Sequence, residues 1–331
     1  MTNLLVTGGA GYCGSVLVPQ LLDLDYQVTV YDILYYGNQL PQHPKLNVVQ
    51  GDIRDTAKFA ATVNGHDAVL SLACISNDAS FELDENLSTS VNLEAFEPMV
   101  LAAKAAGVKR FVYASSSSVY GVSESPDVTE DHPLVPLTLY NKYKGMCEPL
   151  LKKHTSQDFV GVIFRPATVC GYSPRLRLDL SVNILTNHAI TNNKITVFGG
   201  SQMRPNLHIQ DYADLCKLLL TAPADKVQNE TFNCGYENMS IMDIALMVKK
   251  VVTEEFPGRP DIEVVTTPTD DIRSYHINSG KIKRALGFAP QYSIEKAVRD
   301  LCMAYKANKI PNNMTDDIYY NVKRMKALKA A

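Results

Sequence analysis

Tyr140 and Lys144, in the run Tyr140-Asn141-Lys142-Tyr143-Lys144, stand four residues apart, which brings a phenol and an ammonium onto one helix face. A free phenol titrates at about 10, and a neighbouring ammonium favours its phenolate form, so the pair suits proton transfer nearer neutral pH. The same spacing recurs at Tyr292/Lys296, Tyr305/Lys309 and Tyr319/Lys323, which read as surface-helix or tail pairs. Position separates Tyr140 from these three. It lies downstream of Tyr113-Ala114-Ser115-Ser116-Ser117-Ser118-Val119-Tyr120-Gly121, where four hydroxyls directly follow an apolar strand. Ligands of open α/β sheets sit beyond the carboxyl ends of the strands. A serine there can bond the substrate oxygen whose proton Tyr140 moves.

A second constellation stands at the N-terminus. Thr7-Gly8-Gly9-Ala10-Gly11-Tyr12-Cys13-Gly14 follows the apolar run Leu4-Leu5-Val6 and opens a helical pattern. Glycines at 8, 11 and 14 permit a tight turn, a close backbone approach to a diphosphate, and close helix–strand packing. The helix start then offers N–H groups and a positive dipole end to the phosphates. This is a dinucleotide-binding loop involving Gly8, Gly11, Tyr12, Cys13 and Gly14. Asp32 ends the next strand, 18 residues past Gly14, where an acid bonds the adenosine ribose. No Arg or Lys lies between Asp32 and Lys45 to receive a 2′-phosphate, so NAD is favoured over NADP. Asp52 and Ile53, in Gly51-Asp52-Ile53-Arg54, follow the third strand, where Asp52 could bond the adenine amine or simply cap a helix. A bound nicotinamide cation would add to the effect of Lys144 on Tyr140.

Elements of the right kind surround these residues. Strands are predicted near 3–6, 27–32, 46–50, 67–72, 110–114 and 159–164, and helices near 12–23, 55–63, 86–106 and 138–154. This alternation predicts βαβ units and a doubly wound parallel sheet of Rossmann type over residues 1–166. Beyond Pro166 the pattern becomes a smaller α+β region, 167–331, expected to bind substrate, with some segments returning to the first domain. The polar tail from Asn308 is given no role.

Composition narrows the classes further. The 331 residues are 46% hydrophobic and 20% charged with a net charge of −3, as in a folded globular protein. No basic cluster is dense enough to follow a nucleic-acid backbone. Seven scattered cysteines without a CxxC pair suit neither a disulfide framework nor a zinc site, and no other metal site is expected. With no secretory signal pattern and no membrane-length apolar run, a soluble cytoplasmic protein is expected.

Taken in order, the TGGAGYCGS loop, Asp32, GDIRD, SSSSVYG, YNKYK, Arg165-Pro166, RPNLHIQD and KIKRALGF resemble the extended short-chain dehydrogenase/reductase superfamily, in its NAD-dependent nucleotide-sugar epimerase/dehydratase branch. The likeness runs from about residue 3 to 305. It implies that Ser116, Tyr140 and Lys144 are catalytic, with Tyr140 and Lys144 also meeting the cofactor; Ser116 is preferred in the serine run because it stands four residues before Tyr120, with Ser117 and Ser118 as helpers. It further implies a substrate Asn at Asn183 and a diphosphate-binding Arg at Arg204. The family's usual Asn after the Arg-Pro strand is Thr168 here, with Cys170 close by as a small buried filler. A second phosphate-binding Arg is missing at Pro268, and Arg273 is expected to replace it. The resemblance also implies a homodimer pairing helices 86–106 and 138–154, the first carrying Leu87, Val91, Phe96 and Val100, which could equally face the sheet.

Among the branch's reactions, the residues after Ser116 point to epimerisation. Related 4,6-dehydratases place an Asp-Glu pair directly after the catalytic hydroxyl residue, where this chain has Ser117 and Ser118. A decarboxylating relative would carry a Glu in this segment, and none precedes Glu124. A keto-sugar reductase would use the same three catalytic residues. An NAD-sensing scaffold is the non-enzymatic alternative, but such a protein would have lost Tyr140 or Lys144. The expected substrate is a nucleotide sugar.

Asp32 generates the first prediction. Its carboxylate would repel a 2′-phosphate, so the chain should bind NAD far more tightly than NADP, and Asp32→Ala should weaken NAD binding. Titration calorimetry showing tighter NADP than NAD binding to the wild type would refute the role given to Asp32.

Overall fold

The strands of the first half are apolar on both faces because both faces are covered. In β1 (Asn3–Thr7), Leu4 and Val6 enter one core while Leu5 enters another. The same alternation runs through β2 (Gln27–Asp32), β4 (Ala68–Ser71) and β5 (Arg110–Ala114), with β3 (Leu46–Gln50) and β6 (Val160–Pro166) completing the first half. Side chains two apart share a face, so each strand feeds two cores. Helix Gly14–Asp23 covers one face with Leu17, Val18 and Leu21. Phe59, Val100 and Leu151, from helices Thr56–Val63, Phe96–Ala105 and Leu139–His154, cover the other. The computed structural model describes residues 2–123, 125, 127–269, 274 and 276–330.

The second half adds β7 (Thr168–Cys170), β8 (Lys194–Phe198), β9 (Met203–His208), β10 (Thr231–Cys234), β11 (Glu237–Ser240) and β12 (Glu263–Thr267). The main sheet has seven strands in the order β10-β6-β5-β4-β1-β2-β3, all pairs parallel. This is a Rossmann-like α/β fold. The chain runs outward from β1 to β3 and then resumes on the other side of β1 at β4. That reversal opens a crevice beyond the carboxyl ends of β1 and β4. Strand β10 was not predicted. It pairs Phe232 with Phe164 of β6, while helix Ile209–Thr221 packs on the first core through Tyr212, Leu215 and Leu219, so the main sheet draws on residues beyond 166. A third core, including Val182, Ile244, Val248 and Val298, lies among helices Ser181–Asn192, Ile241–Glu255 and Ile294–Lys306.

One expectation is corrected. The helix expected over 86–106 is broken into Glu85–Thr89, a π turn at Ser90–Glu94, and Phe96–Ala105. The Asn92 side chain accepts from the Ile75 N–H at 2.8 Å and donates to its carbonyl at 2.9 Å, and Pro98 removes a ladder donor just beyond. Phe96 and Val100 are buried in the chain's own core and Leu87 and Val91 face the crevice, so these four apolar residues are not left for a partner. The tail from Asn308 also contains a helix, Asn321–Ala330. Among the described residues no helix is long and apolar enough to cross a membrane.

A buried polar network fixes the Leu139–His154 helix against the sheet. Arg165 donates to Glu148 at 2.6 and 2.9 Å, both side chains being almost wholly buried. Ser115 donates to the same carboxylate at 2.6 Å, and Arg165 donates to the Tyr120 hydroxyl at 2.6 Å. Removing one member of such a pair strands the other charge in the core. Glu148→Ala should therefore destabilise the fold by about 3–5 kcal/mol. The double change Glu148→Leu/Arg165→Met should recover much of that loss. Urea unfolding that finds Glu148→Ala within about 1 kcal/mol of wild type would contradict the prediction.

Candidate active site

The crevice holds a cavity of about 450 Å³, within the usual range for a ligand site. Its floor is the loop after β1. Gly8 has φ +71°, and a Cβ there would lie 2.7 Å from the Ala73 backbone, while a Cβ on Gly14 would run into the Gly9 backbone. Only glycine lets this loop lie so flat. The Cys13 side chain forms no cap on helix Gly14–Asp23, and burial holds its thiol neutral, pushed up to about 12. A bare helix start over a flat glycine loop is a cradle for a diphosphate.

Asp32 stands at the end of β2, accepting from the N–H groups of Ala10 at 3.0 Å and Leu34 at 2.8 Å. Burial raises its carboxyl above the ordinary value, with those two donors and Arg175 opposing. Asp52 does not cap helix Thr56–Val63; Asp55 does, accepting from Lys58 N–H at 3.0 Å. The Asp52 carboxylate is instead gripped by Arg54 at 2.5–3.0 Å, which holds it below the usual range. Asp52 and buried Ile53 both line the cavity. The cradle, the half-buried acid at the end of β2 and the apolar wall fit NAD.

Above the cradle the structure brings Ser116, Ser117, Ser118, Tyr140 and Lys144 to one wall. Tyr140 lies in the first turn of its helix, which starts where Thr138 accepts from the Asn141 N–H at 3.3 Å. Thr138 also donates to Asp78 at 2.6 Å, tying the helix start to the segment after β4. Lys144 is buried, and its ammonium donates to the Ala114 carbonyl at 2.8 Å. Ser118 donates to Asn141 Oδ1 at 2.5 Å and shares a 2.7 Å hydrogen bond with Ser116, so the Ser116 proton is directed toward Ser118. Burial pushes the Tyr140 phenol well up, helped by Cys74 and Asp78 and opposed by Arg177 and the Asn77 N–H. The sequence led us to expect a lowered phenol; the chain's own surroundings raise it, because desolvation outweighs the nearby positive charge.

Arg204, on β9, also lines the cavity, donating to the Met203 carbonyl at 2.9 Å. Asn183 lies elsewhere. It is fully buried, donates to the Tyr12 hydroxyl at 3.1 Å and the Arg177 carbonyl at 2.8 Å, and accepts from the Gly171 N–H at 3.0 Å. Its amide braces the loop behind Tyr12, which itself lines the cavity and donates to the Gly171 carbonyl at 2.8 Å. Arg273 lies outside the described residues. Cys170 is core, its thiol raised by burial. The spare Tyr/Lys pairs lie away from the cavity, though not all at the surface: Tyr319 is buried, and Tyr305 donates to Asn187 at 2.6 Å. Sequence reasoning missed Asp78, Arg175, Arg177, Asn321 and Met325, all of which line the cavity. The Arg175-Leu176-Arg177-Leu178 alternation was the available signal.

Residues 4–235 match the model of the NAD dependent epimerase/dehydratase family. The UDP-glucose 4-epimerase of Lactobacillus helveticus is 28% identical over 320 residues, covering 88% of this chain and 92% of its own. A dTDP-glucose 4,6-dehydratase of Streptomyces griseus is 30% identical over 304 residues, covering 87% and 89%. The crystal structure of DesIV, a dTDP-glucose 4,6-dehydratase from Streptomyces venezuelae with NAD and TYD bound, superposes with a TM-score of 0.82 at 25% identity, covering 93% of this chain and 98% of that one. With its glycine cradle and Asp32 in place, the chain belongs to the NAD-dependent epimerase/dehydratase family, and its cofactor is NAD.

Proposed function

We propose that this chain epimerises a nucleotide sugar, at sugar carbon 4, through a transient keto-sugar. The observation that carries the reading is the wall beyond Ser116. Ser117 and Ser118 present hydroxyls there, and among the described residues the acids lining the cavity are Asp32, Asp52 and Asp78. Eliminating water from a sugar needs one group to protonate the leaving hydroxyl and another to take the neighbouring proton. Serine hydroxyls are too weak for either task near neutral pH. Asp32 and Asp52 belong to the adenosine end, and Asp78 holds the start of the Tyr140 helix through Thr138. Epimerisation needs no such pair.

NAD bound in the cradle supplies the hydride acceptor and then the hydride donor. Tyr140 takes the hydroxyl proton of the sugar and later gives it back, and Ser116 shares that hydrogen bond. Lys144, anchored on Ala114, sets a positive charge beside the reacting end. Arg204 receives the substrate diphosphate, for which a planar guanidinium is suited. The proposal includes a homodimer across the Phe96–Ala105 and Leu139–His154 helices, on which Leu101 and Met146 are exposed.

Tyr140→Phe should lower turnover by about 10²–10⁴-fold, the range for removing a general acid/base, while NAD stays bound. Because burial raises the phenol, its ionised fraction grows with pH, so the wild-type rate should climb from neutral toward alkaline pH. Lys144→Met should displace that climb to higher pH. Products from UDP-, GDP-, CDP- and dTDP-sugars are to be followed by NMR. A C4 epimer without net use of NADH supports the proposal; a 4-keto-6-deoxy sugar, or stoichiometric NADH consumption, overturns it. Near wild-type turnover in Tyr140→Phe would remove Tyr140 from the chemistry.

A further inference from the structure

Two guanidinium groups, from Arg175 and Arg177, are buried side by side in the cavity wall. Arg177 has a counter-ion, Asp179, at 2.9 Å, and donates to Ser76 at 3.1 Å. Arg175 has no carboxylate within ion-pair distance among the described residues. It is only 5% exposed, and its Nε has no hydrogen-bond partner. It does have a fixed position. Its guanidinium stacks 3.7 Å from the centre of the Tyr36 ring, and its Nη2 donates to Asn321 Oδ1 at 2.6 Å. Burial and the repulsion of Arg177 pull it down to about 10, with Tyr36, Asp179 and Asp32 too weak to restore it. A buried cation held in place but left without an anion is costly unless a ligand supplies the charge.

The position of Arg175 identifies that ligand group. Its backbone N–H donates to Ser15 Oγ at 3.3 Å, in the first turn of helix Gly14–Asp23, and its charge is felt by Cys13 at the helix start. This is the diphosphate cradle. We propose that Arg175 binds the diphosphate of NAD, and that the C-terminal helix, through Asn321, holds it there as a latch on the cofactor. Asn321 suits the task because all its polar groups are engaged: besides accepting from Arg175, its N–H donates to Asp179 at 3.1 Å and its amide to Ser76 at 3.0 Å. Arg324 then donates to the Tyr35 carbonyl at 2.6 Å, and Lys329 pairs with Asp84 at 3.0 Å. The helix thus spans from the loop after β2 to the segment after β4, with Met325 against the cavity. A planar guanidinium with free N–H groups is the side chain best shaped for phosphate oxygens. The inference rests on NAD binding and not on the reaction, so it survives if the epimerase proposal fails.

The test uses the full chain and three ligands that divide the cofactor: NAD, ADP and adenosine. Arg175→Met should raise the Kd of NAD and ADP by about 10–100-fold, the loss expected for a hydrogen bond to a charged group, and leave adenosine unchanged. Without ligand, its melting temperature should be equal to or above wild type, because a buried unpaired charge has been removed, while the rise caused by NAD should shrink. Asn321→Ala should release NAD faster and weaken ADP in the same direction but less. It also keeps the inference testable if Arg175→Met fails to fold. Unchanged NAD and ADP affinity with a lower melting temperature would make Arg175 purely structural and overturn the inference. Selective loss of NADP binding in Arg175→Met would move the guanidinium to a 2′-phosphate and overturn it equally.

Discussion

The Arg165–Glu148 pair decides where Ser116, Tyr140 and Lys144 sit. Both charges are buried, so neither tolerates displacement from the other, and the pair joins β6 to the middle of the Leu139–His154 helix. Glu148 also takes the Ser115 hydroxyl, and Arg165 the Tyr120 hydroxyl, which in turn donates to Asn233 of β10 at 2.7 Å. The Ser116–Ser118 turn is thereby held at both ends. One helical turn earlier, Lys144 donates to Ala114 at 2.8 Å and its own carbonyl accepts from Tyr113 at 3.2 Å. Tyr140 follows one turn earlier still. A helix clasped to the end of β5 on successive turns has little freedom to slide, and preorganised donors are what reactions in closed sites require.

Burial also sets the charge state of the cavity wall. Asp32 and the Tyr140 phenol are raised and Arg175 is lowered, each shifted toward its uncharged form, with desolvation as the leading cause. These groups do not neutralise one another completely, since Arg54 holds Asp52 and Asp179 holds Arg177. A dinucleotide that brings ribose hydroxyls, a diphosphate and a cationic ring offers the complementary partner to each. The wall is thus better matched to a ligand than to itself.

The parts legible in the sequence were those whose physics is local. The glycine spacing after β1, the acid at the end of β2 and the four-residue step from Tyr140 to Lys144 each depend on one turn or one helix. The strand alternation followed from the two cores. What escaped depended on distant chain. Strand β10 is only Thr231–Cys234 and owes its place to β6; the π turn at Ser90–Glu94 depends on Asn92 reaching Ile75. Asn183 sits on helix Ser181–Asn192, yet its amide braces Gly171 and Arg177 inside the core. The sequence next to Asp32 carries no Arg or Lys, whereas Arg175 enters the same wall from the loop beyond β7. Residues of the polar tail looked idle because the surface they cover is assembled from the loop after β2 and the segment after β4.

That cover bears on the kind of chemistry the crevice favours. An enzyme that reduces one substrate and oxidises another must let its cofactor leave or be recharged in each cycle. An epimerase returns the hydride to the same sugar, so its NAD can stay in place through many turnovers, and a site that grips the adenosine and diphosphate end firmly loses nothing. The helix Asn321–Ala330 is fastened at Tyr35, Asp84 and Asp179 and lays Met325 against the cavity, whereas Arg204 comes from β9 on the opposite half of the chain. Under the proposed epimerase reaction, retention of the cofactor and exchange of the sugar nucleotide would fall to different elements. The first relies on a fixed latch. The second would fall to the strands of the smaller region, where the keto-sugar of the proposed reaction would have to turn before the hydride comes back.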